Sequence, residues 1–429
     1  MLTACLVVAC LAEDPPQRPL MRDMLGLNVH TVRFDPAKYR DAFAVLRNYH
    51  PIAWDLADDS SAAPPWPLAK NRVNWDDHVY GKWRPHGYDV LATLMLHRVT
   101  WRDLDRDAAA YARGFATWFG PRGKRPLVST VSIGNEPGYL DDATYRRIFV
   151  AMAGAVRDAD PDLRIATCAL TTGPSDTYAK SVELFRGDDI APLFDVLTIH
   201  CYAMVEGWPT WRRSYPEDPG IDYLDRIRKL MAWRDTHATG KPIWVNEFGW
   251  DATTRTPDPA TEFARWQPVT DMQQAQWLVR SALRFAELGV ARCHVYFFDD
   301  EDEPKLHAAS GIMRQGKPKP AYWALRQLQQ TLGAYRFEKV VLDEPGRVMV
   351  YAFVSGEGEP GLPGRVWVVW SPTGEGRSEA VDLPAPPGRL ARAYEMAHDE
   401  AEAAAADVTV TSTHVRVTAT ESPTYLIWQ

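Results

Sequence analysis

Two apolar, β-branched runs in this chain stop abruptly at a carboxylate: Ser132-Ile133-Gly134-Asn135-Glu136-Pro137 and Ile243-Trp244-Val245-Asn246-Glu247-Phe248-Gly249-Trp250. A strand that delivers a Glu at its last position sets a titratable group at a sheet edge, beside solvent and backed by a core. Two such carboxylates facing one another can act as acid and nucleophile at a glycosidic bond. Glu136 and Glu247 lie far apart in the chain, so the chemistry depends on the elements that bring them together.

From Met24 onward, short apolar runs alternate with longer amphipathic ones. Strands are expected at Leu25–His30, Ile52–Leu56, Tyr88–Leu96, Leu127–Glu136, Arg164–Leu170, Phe194–Tyr202, Pro242–Glu247 and Val290–Phe298. Helices are expected at Pro36–Asn48 (with Pro in its first turn), Trp75–Trp83, Asp105–Phe119, Asp141–Ala159, Ser175–Phe185, Asp222–His237, Gln273–Leu288 and Pro320–Leu332. Loops rich in Pro and Trp join them at Ala57–Arg72 and Met204–Gly220. Eight strand–helix units predict a (β/α)8 TIM barrel, and no Gly-rich phosphate turn follows the first strand as it would in a doubly wound sheet.

In such a barrel, chemistry sits where the strands end at the C-terminal face. Asn28 and His30, Asp55, His97, Asn135 and Glu136, His200 and Tyr202, and Glu247 all fall at or just past expected strand ends. Strands four and seven lie nearly opposite in the ring, so Glu136 and Glu247 converge over one mouth. His200 and Tyr202 read either as donors to a carboxylate or as satisfied core groups. Trp250 is a stacking platform for a sugar or a packing residue. Trp208 and Trp211, near Arg212, Arg213, Glu217 and Asp218, could wall a subsite. Asp299–Glu303 reads most simply as a solvated acidic loop, with a metal or subsite role as the alternative.

After Gly333 the pattern changes to period-two runs at Val348–Val354, Arg365–Trp370, Val408–Thr411, Val415–Thr420 and Tyr425–Trp428, separated by Gly/Pro turns. This predicts a small C-terminal antiparallel β-sandwich. The domain expectation is a leader over 1–20, a barrel over 21–333 and the sandwich over 334–429. Net charge is −8 with no basic patch, which argues against nucleic acid. No segment beyond the start approaches the length of a membrane span. The opening MLTACLVVACLAEDPP resembles an export signal without its positive n-region, and Val7-Val8-Ala9-Cys10 loosely matches a lipoprotein cleavage box, so export and a lipid anchor at Cys10 are expectations. The remaining cysteines, Cys168, Cys201 and Cys293, sit in strand-like runs as buried thiols, with no zinc spacing. No cofactor or metal is called for, and oligomeric state is left open.

Asn135-Glu136-Pro137 after the fourth strand, with Glu247 ending the seventh, resembles glycoside hydrolase clan A, the 4/7 superfamily of retaining glycosidases. His200-x-Tyr202 is similar to the motif of family 5 in that clan. The C-terminal sandwich, closing on Glu421-Ser422-Pro423-Thr424-Tyr425-Leu426, looks more like family 39. The resemblance implies a retaining hydrolase of β-glycosidic bonds in oligo- or polysaccharides, with Glu136 as acid/base and Glu247 as nucleophile. It further implies that Asn135 binds the sugar 2-hydroxyl. Two departures stand out. Clan members often carry a Trp near the end of strand eight, where this chain has Val295-Tyr296-Phe297-Phe298, leaving Tyr296 or Phe298 as the aromatic floor. The basic residue often found after strand two is not evident, since Asp55 stands there. A carbohydrate-binding protein on a barrel that has lost catalysis is the alternative.

Overall fold

A computed structural model describes residues 17–356 and 361–429. The expected leader, including Cys5 and Cys10, lies outside the described residues. Eight parallel strands close into a barrel: β1 Leu25–Val29, β2 Val45–Pro51, β3 Asp89–Met95, β4 Thr130–Ile133, β5 Arg164–Thr171, β6 Val196–His200, β7 Ile243–Phe248 and β8 Arg292–Val295. Each pairs with the next, and β8 returns to β1 through Leu25↔Cys293 and Leu27↔Val295. The longer helices are α1 Leu104–Phe119, α2 Asp142–Ala159, α3 Tyr223–His237, α4 Asp271–Leu288 and α5 Pro320–Leu332. Their starts follow local chemistry: Asp103 and Asp141 cap α1 and α2, and Thr270 with Gln273 forms a reciprocal capping box on α4.

The second unit of the barrel differs from the sequence expectation. The helix expected over Pro36–Asn48 stops after one turn, Pro36–Tyr39, capped by Asp35, and Val45–Pro51 is a strand. The strand expected over Ile52–Leu56 is a short helix. β2 hides its period because polar residues occupy both faces and all are buried. Arg47 and Tyr49 point into the barrel, while Asn48 accepts from the Thr31 N–H at 3.0 Å and His50 meets Asp55 at 2.8 Å on the outer face. The helix expected over Ser175–Phe185 is instead an Asx turn, in which Asp176 accepts from the backbone of Tyr178 and Ala179. A single 3-10 turn, Val182–Phe185, follows it.

Past α5 the chain enters a β-sandwich: β9 Tyr335–Glu344, β10 Val348–Ser355, β11 Arg365–Trp370, β12 Ser378–Pro384, β13 Leu390–Tyr394, β14 Val408–Val410, β15 His414–Thr420 and β16 Thr424–Trp428. A five-stranded sheet in the order β9-β10-β11-β16-β13 faces a three-stranded sheet, β12-β15-β14. Strand alternation sorts β10 cleanly. Val348, Val350 and Ala352 fill the sandwich core, while Met349, Tyr351 and Phe353 join the apolar cluster of the barrel. The sheet therefore has two buried faces.

A buried ion pair ties the two parts together. Arg280 of α4 donates to Glu217 at 3.2 Å and to the Thr373 carbonyl at 2.8 Å, and Trp370 Nε1 donates to Glu217 at 2.9 Å. Both charged side chains are almost wholly buried. Calorimetry should show one unfolding transition for barrel and sandwich. Removing one partner of a buried pair costs about 3–5 kcal/mol, so Glu217→Ala should lower the melting temperature by several degrees. Two separated wild-type transitions would contradict the shared core.

Candidate active site

Glu136 stands beyond a strand rather than in it. β4 ends at Ile133, whose carbonyl accepts from the Tyr145 hydroxyl at 2.8 Å. Gly134 then turns the chain with φ +88°, a conformation that costs glycine little. Asn135 and Glu136 are thereby carried over the barrel mouth.

Glu247 reaches the same mouth by a different device. Pairing to β6 runs Ile199↔Val245 and then His200↔Glu247, and pairing to β8 runs Val245↔Cys293 and then Phe248↔Val295. Both neighbours register one extra residue in β7, a β-bulge. Trp244 packs inside the barrel with Leu91, Ala166 and Val196. Strict alternation from Trp244 would send residue 247 outward. The bulge reverses this: Glu247 meets the interior donors, and Phe248 packs outward against Phe285 of α4.

Donors converge on Glu247. Oε1 accepts from Arg47 Nη1 at 2.8 Å and from the Tyr49 hydroxyl at 2.6 Å, and Oε2 accepts from the Tyr202 hydroxyl at 2.9 Å. His200 Nδ1 lies 3.5 Å from Oε2. Burial alone would push this carboxyl up. The positive charge of His200 when protonated, the Arg47 guanidinium and the two hydroxyls outweigh it and bring the pKa down to about 2. Glu247 is an anion at any ordinary pH.

Glu136 has a different setting. Among the described residues its side-chain hydrogen-bond partner is His200 Nδ1 at 2.8 Å, and its side chain is partly exposed to the cavity. Carboxylate oxygens of Glu136 and Glu247 and a nitrogen of His200 lie within 4.8 Å of one another. Three such groups could in principle hold a cation. Here both Glu247 oxygens already accept from protein donors, and a dication would sit beside the Arg47 charge. The set is better suited to moving a proton.

Arg47 also orders its neighbours. It donates to Asn28 Oδ1 at 2.8 Å and to Asn135 Oδ1 at 2.5 Å. Since guanidinium only donates, the Asn135 amide oxygen must face it and the NH2 is left for the cavity. A similar argument fixes His307. Arg213, ion-paired to Asp251 at 3.0 Å and stacked 4.6 Å over the Tyr202 ring, approaches His307 Nδ1 at 3.4 Å. Burial and the Arg213 charge hold the His307 pKa down. An Nδ1 that accepts from Arg213 leaves the proton of the neutral ring on Nε2, and the ring lines the cavity.

No family model matches the sequence, and no curated protein matches it either. Solved structures do. A family 39 glycoside hydrolase from the gut symbiont Bacteroides cellulosilyticus superposes with a TM-score of 0.70 at 18% identity, covering 96% of this chain and 81% of that one. A glucosidase from Croceicoccus marinus gives 0.66 at 16% identity, over 96% of each chain. A family 51 α-L-arabinofuranosidase from Thermotoga petrophila gives 0.64 at 12%, over 96% of this chain and 98% of that one. The fold is that of solved glycoside hydrolases.

A cavity of about 1040 Å3 opens over the two carboxylates. It gathers Asn135, Tyr202, His30, Tyr296 and Trp208 from the expected set, along with His97 and Trp211. His200 lies beneath, bonded to Glu136. Phe298 is buried against Phe34 and Tyr39, so the aromatic surface after β8 comes from Tyr296 and Phe297.

Other expectations are corrected. Trp250 is fully buried, donates to the Ser214 carbonyl at 2.8 Å and packs against Trp277 and Tyr223; it is a core residue that offers no face to a sugar. Asn28 is fully buried below the cavity, donating to the carbonyls of Asn246 and His294 while it accepts from Arg47, so it positions Arg47 and does not reach substrate. Asp55 belongs to a buried group with His50, Trp75 and Tyr111 outside the barrel. The acidic run is solvated only in part: Glu301 is exposed, whereas Asp300 and Asp302 are buried. Asp300 pairs with Lys319 at 3.3 Å, and Asp302 accepts from Thr253 and Thr254. Glu217 serves the sandwich contact. No basic residue was expected near the second strand, yet Arg47 stands within β2 and reaches Glu247.

Arg47→Met should leave Glu247 buried without its cation, a loss of about 3–5 kcal/mol at neutral pH. The folded pKa is depressed, so the Glu247 contribution is present above its unfolded value, about 4.3, and is lost as pH falls toward 2. The gap in melting temperature between wild type and Arg47→Met should therefore shrink as pH drops from about 5 to 2. A gap independent of pH would refute the electrostatic role.

Proposed function

We propose that the protein is a retaining glycoside hydrolase acting on β-glycosidic bonds. The observation that carries this reading is the carboxylate pair: Glu136 and Glu247 oxygens approach within 4.8 Å at the ends of β4 and β7, one anchored as an anion and one facing the cavity. Retaining enzymes hold their carboxyls about 5–5.5 Å apart, whereas inverting enzymes leave about 6.5–9.5 Å for a water. The fold likeness to solved glycosidases agrees, and since these include a glucosidase and an α-L-arabinofuranosidase, the likeness does not select a sugar.

In the first step a Glu247 oxygen attacks the anomeric carbon as the bond to the leaving oxygen breaks, and Glu136 gives its proton to that oxygen. Water then loses a proton to Glu136 and attacks the same carbon, releasing Glu247 as carboxylate. Tyr202 holds the single strong contact to Oε2, which makes that oxygen the freer one to attack. Asn135 donates its NH2 to the 2-hydroxyl, a contact that strengthens as positive charge grows on the ring. The undamaged donor set on Glu247 argues against a barrel that only binds carbohydrate.

Glu247→Gln should abolish turnover of aryl glycosides, and a 2-fluoro glycoside should label Glu247 in the wild type. Glu136→Ala should lose rate on poor leaving groups by about 10²–10⁴-fold, the usual share of a general acid, and azide should restore it, giving the β-glycosyl azide. Proton NMR should find the first-formed sugar with retained configuration. Inverted product would sink the double displacement.

A further inference from the structure

The cavity is chemically uneven. Among the described residues that line it, the side-chain amides and carboxylates are Asn135, Glu136 and Glu247, all at the catalytic centre. Around Glu247 the lining adds Tyr202, whose hydroxyl is committed to the carboxylate, and His307. Another part of the lining comes from the loops and strand ends of β2, β3, β5 and β6, of which β3 and β5 adjoin β4, the strand that leads to Glu136. It carries Trp54, Met95, Tyr178, Met204 and Trp208, with His97 and Arg98 as its polar heads.

Trp208 is 71% exposed and Tyr178 63% exposed, large rings held in water from separate loops. Clustered exposed apolar groups mark a surface that something covers. A second sugar ring would bring several hydroxyls to this part of the lining and find no side-chain carboxylate or amide there among the described residues, and hydroxyls desolvated without partners are costly. Methionine adds a second clue, since its flexible thioether fills irregular apolar shapes. The volume, about 1040 Å3, lies at the top of the range of about 300–1,000 Å3 typical for pockets that engulf drug-sized ligands. The catalytic end alone accounts for one sugar.

Glu136 delivers its proton to the departing oxygen, so the leaving group departs on the side of this part of the lining. We propose that the preferred leaving group is an apolar aglycone, an aryl or long-chain alkyl alcohol, seated on Trp54, Met95, Tyr178, Met204 and Trp208. This inference rests on the glycosidase reading above. It makes the substrate a glycoside of a hydrophobic alcohol and not an internal bond of a polysaccharide.

The test fixes the sugar as the one turned over fastest in an aryl glycoside panel. It then compares kcat/KM for the methyl, butyl and octyl glycosides of that sugar, below micellar concentration, and for its disaccharide. Simple alkyl alcohols leave with nearly equal intrinsic ease, so differences report binding of the chain. Burying several methylenes should raise kcat/KM from methyl to octyl by at least about tenfold, with octyl also above the disaccharide. In Trp208→Ala, checked for an unchanged melting temperature, the octyl-to-methyl ratio should fall at least about threefold. Turnover with a flat alkyl series, or with the disaccharide preferred, overturns the aglycone assignment alone. No turnover of any glycoside, with no fluoro-glycoside label on Glu247, overturns the glycosidase reading and the aglycone with it.

Discussion

A guanidinium sealed inside a barrel dictates the rest of this site. The Arg47 side chain is almost wholly buried, and a charge removed from water has to be matched by close, well-aligned acceptors. Glu247, Asn28 and Asn135 are those acceptors. Each is held in a set orientation by the match, because Arg offers donors in a rigid fork. The ionisation of Glu247, the facing of the Asn135 amide and the burial of Asn28 thus descend from one side chain on β2. Tyr49 and Tyr202 complete the circle with hydroxyls, which favour the anion without adding charge.

The surroundings make that arrangement stiff. Arg213 stacks on Tyr202 and is itself paired to Asp251, whose other oxygen accepts from Ser310 at 2.6 Å. The sandwich presses Met349, Tyr351 and Phe353 onto the barrel, and Arg284 of α4, the helix that follows β7, donates to the Tyr351 hydroxyl. Distant parts of the chain therefore bear on the strand that carries Glu247. Preorganised donors of this kind need no reorganisation when charge develops in the reacting centre.

Much of this was legible in the residues. The alternation of short apolar runs with amphipathic ones pointed to the barrel, and the two Glu at run ends picked out the carboxylates. What escaped was carried by burial instead of periodicity. Val45–Pro51 has polar residues on both faces, each satisfied by a partner remote in sequence, so no two-residue alternation appears and Arg47 and Tyr49 were hidden in an expected helix. Trp250 follows Glu247 so closely that it looked like part of the mouth, yet its side chain turns outward to Trp277 and Tyr223. Asp300 and Asp302 sat in a run of like charges that reads as solvent-facing, and only the fold brings Lys319, Arg314 and Thr254 to them. His307 and Tyr178 lie in long loops with no local pattern to mark them.

The single inserted residue in β7 gives the strand that carries Glu247 a counting problem. Inside and outside alternate along a barrel stave, so losing one residue between Trp244 and Phe248 would exchange them, turning the carboxylate toward the helices and a phenyl ring toward the donors. Substitutions around the mouth can drift and merely retune which molecules fit. A change of length in this short segment cannot drift; it exchanges the inward and outward side chains in one step. Divergence of the lining at fixed stave length is the route by which a scaffold like this acquires new substrates while keeping one reaction.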